Sequence, residues 1–437
     1  MTTNDAHPSR LRAVALIVRR SLGRHAFASA VTILASAMAS GLVMAVFAIQ
    51  HQSEQAFTGG NVGFDAVLGA RGSKLQLVLN CVFHLDESPG NIPWSVYTRL
   101  KADPRVRLAI PYAVGDNYRG FRIVGTTPEL FRDYRYSGDR ALKFAGRGRP
   151  FEPTLREAVI GGFVAARTGL RYGDHFHPSH GISVDETDHD DDDHDHHAHD
   201  EEYVVVGVLE PTNTPIDRVV WIPIEGVFRM GGHVLRGEGD VYVARPGEAI
   251  PDEHKEISAI MLKFAAPTVG AELDNVINRN GKEMTLAWPI ANVMLGLFDK
   301  FGWITRVLRL VAYLVVAVSA CAILAAVYNT INERRREFAI LRAIGARKSI
   351  VFSAIVAESA TIAALGAMLG FVFYGVIVLV AASIIRAQTG VVIDAWSFHP
   401  ALALTPPAMI ALCALAGVVP AIKAYSTDVS ANLNPHS

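Results

Sequence analysis

The chain has 437 residues, of which 50% are hydrophobic and only 19% are charged, and its mean hydropathy is +0.25. This balance argues against a plain soluble enzyme. The formal net charge of −1 averages basic and acidic regions, and it does not suggest a nucleic-acid partner.

Four long apolar stretches predict four membrane-spanning helices, because each is near or above the roughly 20 residues that a membrane helix needs. We assign span 1 to residues 26–50, a stalk with span 2 to 303–330, span 3 with a stalk to 351–386, and span 4 to 401–423. The expected fold is a membrane protein with four transmembrane α-helices and a large extracytoplasmic mixed α/β domain inserted between helices 1 and 2.

The distribution of basic residues predicts the topology, because short loops rich in Lys and Arg stay in the cytoplasm. Arginines are concentrated in residues 1–25 and in the loop 331–350, so both should lie inside. Alternation then places residues 51–302 and the short loop 387–400 outside and the tail 424–437 inside. We expect a bacterial inner-membrane protein with its large domain in the periplasm and both termini in the cytoplasm.

Residues 1–25 contain apolar positions at helical spacing, among them Val14, Val18 and Leu22. Arg19 and Arg20 lie off that stripe. This pattern predicts either an amphipathic helix on the inner membrane surface or a simple extension of span 1.

The outside region, residues 51–302, is long enough to form its own core. Short β-branched runs separated by Gly and Pro predict strands, and helical patterns flank them. The strands are expected at 121–125, 158–160, 203–209, 219–224 and 241–244, and the helices at 95–102 and 271–278.

An acidic, histidine-rich segment at 174–202 interrupts this domain. It holds eight of the sixteen histidines and no basic residue, so it is expected to be a disordered loop. We place it inside a hairpin, between a strand ending near Phe176 and one beginning at Tyr203.

Histidines with neighbouring carboxylates are typical ligands of transition metals. The segment therefore predicts loose capture of Zn²⁺, and the competing interpretation is a solvated acidic tether. The candidate ligands are His177, His180, His189, His194, His196, His197 and His199.

Span 3 carries an acid at Glu358 and a GxxxG pair at Gly366 and Gly370. An acid inside a membrane helix is a candidate functional residue that often faces a partner helix. The alternative is that Glu358 reaches the inner interface or pairs with a basic residue near Arg347. The glycine pair favours close helix contact.

The loop between spans 2 and 3 has an amphipathic pattern, with Phe338, Leu341 and Ile344 on one helical face and Gly345 placed to end the helix. Composition alone leaves open that this helix anchors on anionic lipid.

Residues 333–346, ERRREFAILRAIGA, resemble a segment of FtsX-like ABC transporter permeases, the group that includes macrolide-exporter and lipoprotein-releasing permeases. Glu358-Ser359 with the glycine pair, the motif VPAIKA at 419–424 and the strand YVVVGVL at 203–209 also resemble that family.

The resemblance implies a homodimer whose coupling helix docks on a cytoplasmic ABC ATPase dimer. The implied coupling residues are Glu333, Arg334, Arg335, Arg336, Glu337, Phe338, Leu341, Arg342, Gly345 and Ala346. The chain has no G-x-x-x-x-G-K-[ST] phosphate loop, so we expect it to be the non-hydrolytic subunit, with ATP bound by a partner. The stretch before span 1 is too short for a fused ATPase domain, which predicts a separate polypeptide.

The family mechanism is mechanotransmission, in which ATP binding moves the coupling helices and reshapes the outside domain. We expect a process linked to zinc or another transition metal, no covalently bound cofactor, and a periplasmic substrate-binding or adaptor protein as a further partner. Two alternatives stay open. One is a non-transporting regulator of a periplasmic hydrolase or chaperone, and the other is an exporter or extractor of a lipoprotein, peptide or small hydrophobic molecule.

Overall fold

The structure, a computed structural model, describes residues 7–58, 62–180, 201–230, 242, 248–333, 348–389 and 397–426. The chain divides into two compact units. The membrane unit comprises Met1–Ser53, Phe301–Ile384 and Ile393–Ser437, and the α/β unit comprises Glu54–Lys300 and Ile385–Val392. The predicted strand 241–244 lies outside the described residues except for Tyr242.

Two helices open the chain, α1 at His7–Arg24 and α2 at Ala26–Thr58. In α1 the side chains of Val18 and Ser21 are buried, whereas Arg19 and Arg20 are exposed. The amphipathic pattern of the sequence is therefore realised as a helix with one packed face.

The strands of the α/β unit are numbered β1 to β14. Its strands are β1 Ala66–Ala70, β2 Ile92–Pro93, β3 Val106–Tyr118, β4 Phe121–Thr126, β5 Arg135–Tyr136, β6 Arg140–Ala141, β7 Glu157–Ile160, β8 His175–Phe176, β9 Ser179–His180, β10 Tyr203–Val208, β11 Val220–Pro223, β12 Glu256–Ile257, β13 Ala259–Phe264 and β14 Met284–Ala287. Its α-helices are α3 Lys74–Cys81, α4 Trp94–Ala102, α5 Glu129–Asp133, α6 Gly162–Thr168, α7 Ile224–Arg229 and α8 Pro267–Asp274. Short 3₁₀ turns cover Pro215–Arg218 and Asp252–His254, and a π-helical segment, Asn275–Asn280, follows α8.

Ten strands form one mixed sheet in the order β14-β1-β13-β3-β4-β11-β7-β10-β8, with β9 paired to β3. The pairs β4–β11 and β7–β10 are parallel, and the other pairs of this sheet are antiparallel. Smaller two-stranded sheets join β2 to β12 and β5 to β6. The parallel pairs require crossover connections, which is why helices alternate with these strands.

Both faces of the large sheet are buried, because successive residues of a strand point to opposite sides. Val220 and Ile222 pack in one apolar cluster, and Val219 and Trp221 pack in the other. Trp221 is fully buried. This explains why the sequences of the central strands are short continuous apolar runs.

The predicted hairpin at the histidine-rich segment is confirmed, since Phe176 of β8 pairs with Tyr203 of β10. The structure differs from the predicted loop 174–202 at its beginning, where residues 175–176 and 179–180 form β8 and β9. The physical reason is that Phe176 is buried in the core and β9 adds to the edge of β3. Residues 181–200 lie outside the described residues.

Three long helices follow, α9 at Ile290–Glu333, α10 at Lys348–Thr389 and α11 at Pro400–Ser426. Among the described residues, four helices are long and apolar enough to cross a membrane. The candidate spans are Ala26–Gln55, Gly302–Asn329, Ser349–Ala387 and Pro400–Ile422.

The core of the membrane unit draws on all four candidate spans. Ala39 of α2, Ile323 of α9, Ile355 of α10 and Cys413 of α11 belong to one buried apolar cluster. Leu22 of α1 packs against the same cluster. The four spans and α1 therefore share one packed interior.

Candidate functional site: the Glu358 interface of the membrane helices

Glu358 lies on α10 inside the third candidate span and is only 8% exposed. The Ser21 hydroxyl of α1, itself 1% exposed, donates a hydrogen bond of 2.5 Å to Glu358 Oε1. A carboxyl group within a membrane span needs such a donor, because lipid supplies none. Sequence reasoning placed Glu358 against a partner helix or a basic residue and missed Ser21, although Ser21 lies one helical turn after Val18 on the apolar stripe of α1.

Ser359, the next residue, faces α11. Its hydroxyl donates back to the Ile355 carbonyl oxygen at 3.2 Å within α10. A Cβ built on Gly417 of α11 would lie 2.3 Å from Ser359 Oγ, so only glycine allows this approach. The Glu358-Ser359 pair thus contacts α1 with one side chain and α11 with the other.

Two turns further along α10, Gly366 and Gly370 pack against α2. A Cβ on Gly366 would lie 2.6 Å from the Ser36 side chain, and one on Gly370 would lie 2.9 Å from Ser40 Oγ. These distances are shorter than non-bonded contacts tolerate. The two glycines therefore set the distance between α2 and α10.

The α2 side of this contact also consists of small residues at a spacing of four. Ser36 and Ser40 are fully buried, and their hydroxyls have no hydrogen-bond partner within the described part of the chain. Gly41 completes the contact, because a Cβ there would lie 2.8 Å from the Gly370 carbonyl oxygen. Small residues on both helices permit close backbone approach and favour packing in membranes. The Ser36-x-x-x-Ser40 spacing was the available signal in the sequence.

Chemically, this arrangement fixes the position of α10 against its neighbours rather than presenting a reactive group to a ligand. The Ser21 hydroxyl donates to the Glu358 carboxyl group, and glycines and serines form the close contacts with α2 and α11. A displacement of α10 would therefore have to move α1, α2 and α11 as well, because close-packed interiors deform little.

Of the predicted coupling residues, the structure describes only the first. Glu333 is the last residue of α9. Arg334, Arg335, Arg336, Glu337, Phe338, Leu341, Arg342, Gly345 and Ala346 lie outside the described residues.

The predicted metal ligands are only partly described. His177 is exposed, and His180 lies in β9. His175 Nδ1 lies 3.3 Å from Glu202 Oε1, with both side chains more than half exposed. Over the described ranges, no three His, Cys, Asp or Glu side chains come together as a metal site. His189, His194, His196, His197 and His199 lie outside these ranges.

Residues 309–429 match the family model of the FtsX-like permease C-terminal domain. This range contains Glu358, Gly366 and Gly370 together with the segment 333–346. The C-terminal part of the chain is therefore an FtsX-like permease domain. This agrees with the family that the motifs at 333–346 and 419–424 predict.

Among solved structures, the chain resembles the periplasmic region of MacB from Actinobacillus actinomycetemcomitans at 10% identity and a TM-score of 0.32, covering 55% of this chain and 94% of that one. It also resembles the extracellular domain of YknZ, a noncanonic ABC-type transporter from Gram-positive bacteria, at 14% identity and a TM-score of 0.28, covering 50% of this chain and 97% of that one. No curated protein matches the chain.

Proposed function

We propose that this chain is the transmembrane subunit that couples ATP hydrolysis by a separate ATPase to a conformational change of its periplasmic domain. The observation that carries the proposal is the continuity of α9. Its first turns contribute Ile290 and Met294 to a core cluster of the α/β unit, and the same helix continues to Glu333, where the predicted coupling segment begins. A single helix joins the two regions, so a displacement at one end has a direct covalent route to the other.

The lengths of α9 and α10 support this role. They contain 44 and 42 residues, which at 1.5 Å per residue corresponds to about 66 and about 63 Å. The hydrocarbon core of a bilayer is only about 30 Å thick. Each helix therefore extends well beyond the membrane, as a stalk requires. Arg306 and Arg309 lie at the start of the second candidate span, where such a helix would leave the lipid.

The Glu358 interface supplies the second requirement, which is that the helices move together. Gly366 and Gly370 hold α10 in close contact with α2, and Ser359 holds it near α11. Packed interfaces of this kind shift between discrete arrangements rather than deforming continuously. In our proposal the coupling segment pushes α9 and α10, and the interface turns that push into a concerted movement.

The proposed partners are a cytoplasmic ABC ATPase dimer and a second copy of this chain. The family supports the ATPase, since its permeases act with ATPase subunits in ABC systems. The histidine-rich segment supports a link to zinc or another transition metal through its eight histidines and twelve acidic residues at 174–202.

Copurification tests the coupling assignment. The tagged full-length protein is expressed in its native host, extracted in detergent, and assayed for bound, vanadate-sensitive ATPase activity. The double variant Leu341→Asp, Gly345→Asp should retain less than about one tenth of that activity, because a buried interfacial charge without a partner costs about 2 kcal/mol or more. Leu155→Asp is the matched control, because Leu155 is 52% exposed in the α/β unit. Unchanged ATPase recovery with the double variant would overturn the proposal.

A further inference from the structure

A pocket of about 340 Å³, lined by both polar and apolar groups, lies in the α/β unit. Its walls come from the segment that follows α3 and from the β3–β4 hairpin, and they include His84, Glu87, Asp116, Asn117 and Arg122. The hairpin turns through Arg119 and Gly120, both in the left-handed region at φ of 47° and 79°. This two-residue turn fixes the register that places Arg122 opposite Asn117.

Arg122 brings a partly buried positive charge to the pocket. One guanidinium nitrogen, Nη1, donates to the Asp86 carbonyl oxygen at 2.7 Å. Within the described ranges, the guanidinium makes no other hydrogen bond and has no carboxylate within 4 Å. Burial lowers the pKa of this guanidinium, although the charges of Asp86 and Glu87 act in the opposite direction. A guanidinium has five donors, so most of its capacity is unused here.

His84 contributes a second unused polar group. Its Nδ1 is buried and has no hydrogen-bond partner among the residues that the structure describes. Burial, followed by the charges of Arg122 and Arg218, lowers the pKa of His84 to about 3, so the ring is neutral at physiological pH. Its backbone is left-handed at φ 56°, a strained conformation for a residue with a side chain. Strain of this kind is concentrated at binding sites.

The acids in the wall restrict the ligand. Asp116 is only 4% exposed and lies beside the β3 bulge, where the pairing with β4 shifts between Val114 and Asn117. Glu87 adds a second carboxylate to the lining. The two acids repel any anion, and they repel a dianion such as phosphate about twice as strongly as a monoanion, whose single charge the Arg122 guanidinium can pair.

We propose that this pocket binds a monocarboxylate group, with the Arg122 guanidinium as its anchor and Asn117 beside it. Planar carboxylates match the two parallel N–H donors of a guanidinium. The carboxylate belongs either to a small free acid or to the C-terminus of a peptide. This inference does not depend on ATPase coupling, since the pocket lies wholly within the α/β unit.

Saturation-transfer NMR on the full-length protein in detergent tests the proposal. The observed probes are propionate, trialanine with a free C-terminus and trialanine amide, and inorganic phosphate, which has no observable proton, is added as a competitor. We expect saturation transfer to propionate or trialanine, none to the amide, and no loss of the carboxylate signal when equimolar phosphate is added. Arg122→Gln should weaken binding of the carboxylate probes by about tenfold or more, because the charge-assisted hydrogen bonds of the guanidinium are lost. Arg119→Gln is the matched control, since Arg119 is an exposed cation of the same hairpin outside the pocket lining, and it should bind as the wild type does.

The source of the carboxylate follows from which probe binds more tightly. If Arg122→Gln fails to fold, as judged by thermal unfolding, Asn117→Asp replaces it, because a new carboxylate opposite Arg122 should abolish binding of the probes. Three results would overturn the proposal. They are no binding of either carboxylate to the wild type, equal binding to the wild type and to a folded Arg122→Gln or Asn117→Asp, or displacement of the carboxylate probe by equimolar phosphate.

Discussion

The Ser21 hydroxyl donates a hydrogen bond of 2.5 Å to the Glu358 carboxyl group, across 337 positions of sequence. This bond joins α1, outside the candidate spans, to the interior of α10. The contact links an amphipathic entry helix to the helix that follows the predicted coupling segment. α1 is therefore part of the packed membrane unit rather than a loose surface attachment.

A double-mutant cycle measures this contact. Ser21→Ala and Glu358→Ala should each destabilise the protein, and their effects should be non-additive by about 1 kcal/mol, the typical net contribution of a buried hydrogen bond. SDS titration of the protein in mixed micelles, followed by tryptophan fluorescence, gives the free energies of unfolding. Pairing Ser21→Ala with Glu283→Gln is the control, because Glu283 is an exposed residue of the α/β unit and should give additive effects. Additivity in the Ser21 and Glu358 cycle would refute the contact.

Gly366→Ala should destabilise the membrane unit by about 1 to 3 kcal/mol, since the new methyl group would lie 2.6 Å from the Ser36 side chain. Gly375→Ala on the same helix is the matched control. A Cβ there meets nothing within 4 Å, so alanine should be neutral or stabilise by up to about 1 kcal/mol through helix propensity. The same SDS titration compares the two variants, and adding Ser36→Gly to Gly366→Ala should recover part of the loss. If both alanine variants behave alike, α2 and α10 are not packed as described.

The hydrogen bonds to the Glu157 carboxylate predict that the stability of the α/β unit depends on pH. Its carboxylate accepts from Arg149 Nη1 at 2.8 Å, Arg149 Nη2 at 2.5 Å and the Glu152 backbone N–H at 2.9 Å. Burial alone would raise the pKa of Glu157, but these hydrogen bonds outweigh it and hold the pKa below its ordinary value. A lowered folded-state pKa stabilises the protein above the unfolded pKa, and this contribution is lost as pH falls through the folded value.

We therefore expect Glu157→Gln to reduce stability by about 1 kcal/mol at pH 7, a modest value because Arg149 is half exposed. The deficit should shrink as the pH falls below the ordinary glutamate pKa of about 4. Susceptibility of the α/β unit to proteolysis during thermal unfolding of the full-length protein provides the measurement. Glu283→Gln should show no such pH dependence, and a deficit for Glu157→Gln that is constant or grows towards acid pH would contradict the assignment.

Zinc binding by the histidine-rich segment is a separate prediction. Isothermal titration of the full-length protein should show weak Zn²⁺ uptake that falls when His189, His194, His196, His197 and His199 are changed together to Asn. The acidic residues are retained in that variant, so any loss reports imidazole ligation rather than general cation attraction. Equal Zn²⁺ uptake by the wild type and the variant would contradict histidine ligation and favour the interpretation of the segment as a solvated acidic tether.

Much of the local secondary structure can be predicted from the sequence, because short β-branched runs bounded by Gly and Pro favour strands over helices. The strands predicted at 121–125 and 158–160 are confirmed as β4 and β7, and the helix predicted at 95–102 as α4. The order of the sheet could not be predicted. The parallel pairing of β11 with β4 brings Val220 opposite Ile123, and such long-range partners leave no mark on local periodicity.

The interfaces were only partly predictable for a related reason. Glu358, Gly366 and Gly370 could be singled out, because an acid and a GxxxG pair are unusual in an apolar helix. In the sequence, Ser36 and Ser40 do not stand out from the other small residues of span 1. Their role becomes visible only in the structure, where α10 packs against them. The proposed carboxylate pocket draws His84 from the segment after α3, and Asp116 and Arg122 from the β3–β4 hairpin, so no single stretch of sequence predicts it.

Hydrogen–deuterium exchange on the assembled complex tests the proposed coupling most directly. The full-length protein with its copurified ATPase is compared with nucleotide absent and with ATP plus vanadate. We predict that exchange in peptides of the α/β unit changes on nucleotide binding in the wild type, whereas any residual complex of the Leu341→Asp, Gly345→Asp variant shows no change. Identical exchange with and without nucleotide, in a wild-type complex that hydrolyses ATP, would contradict the account.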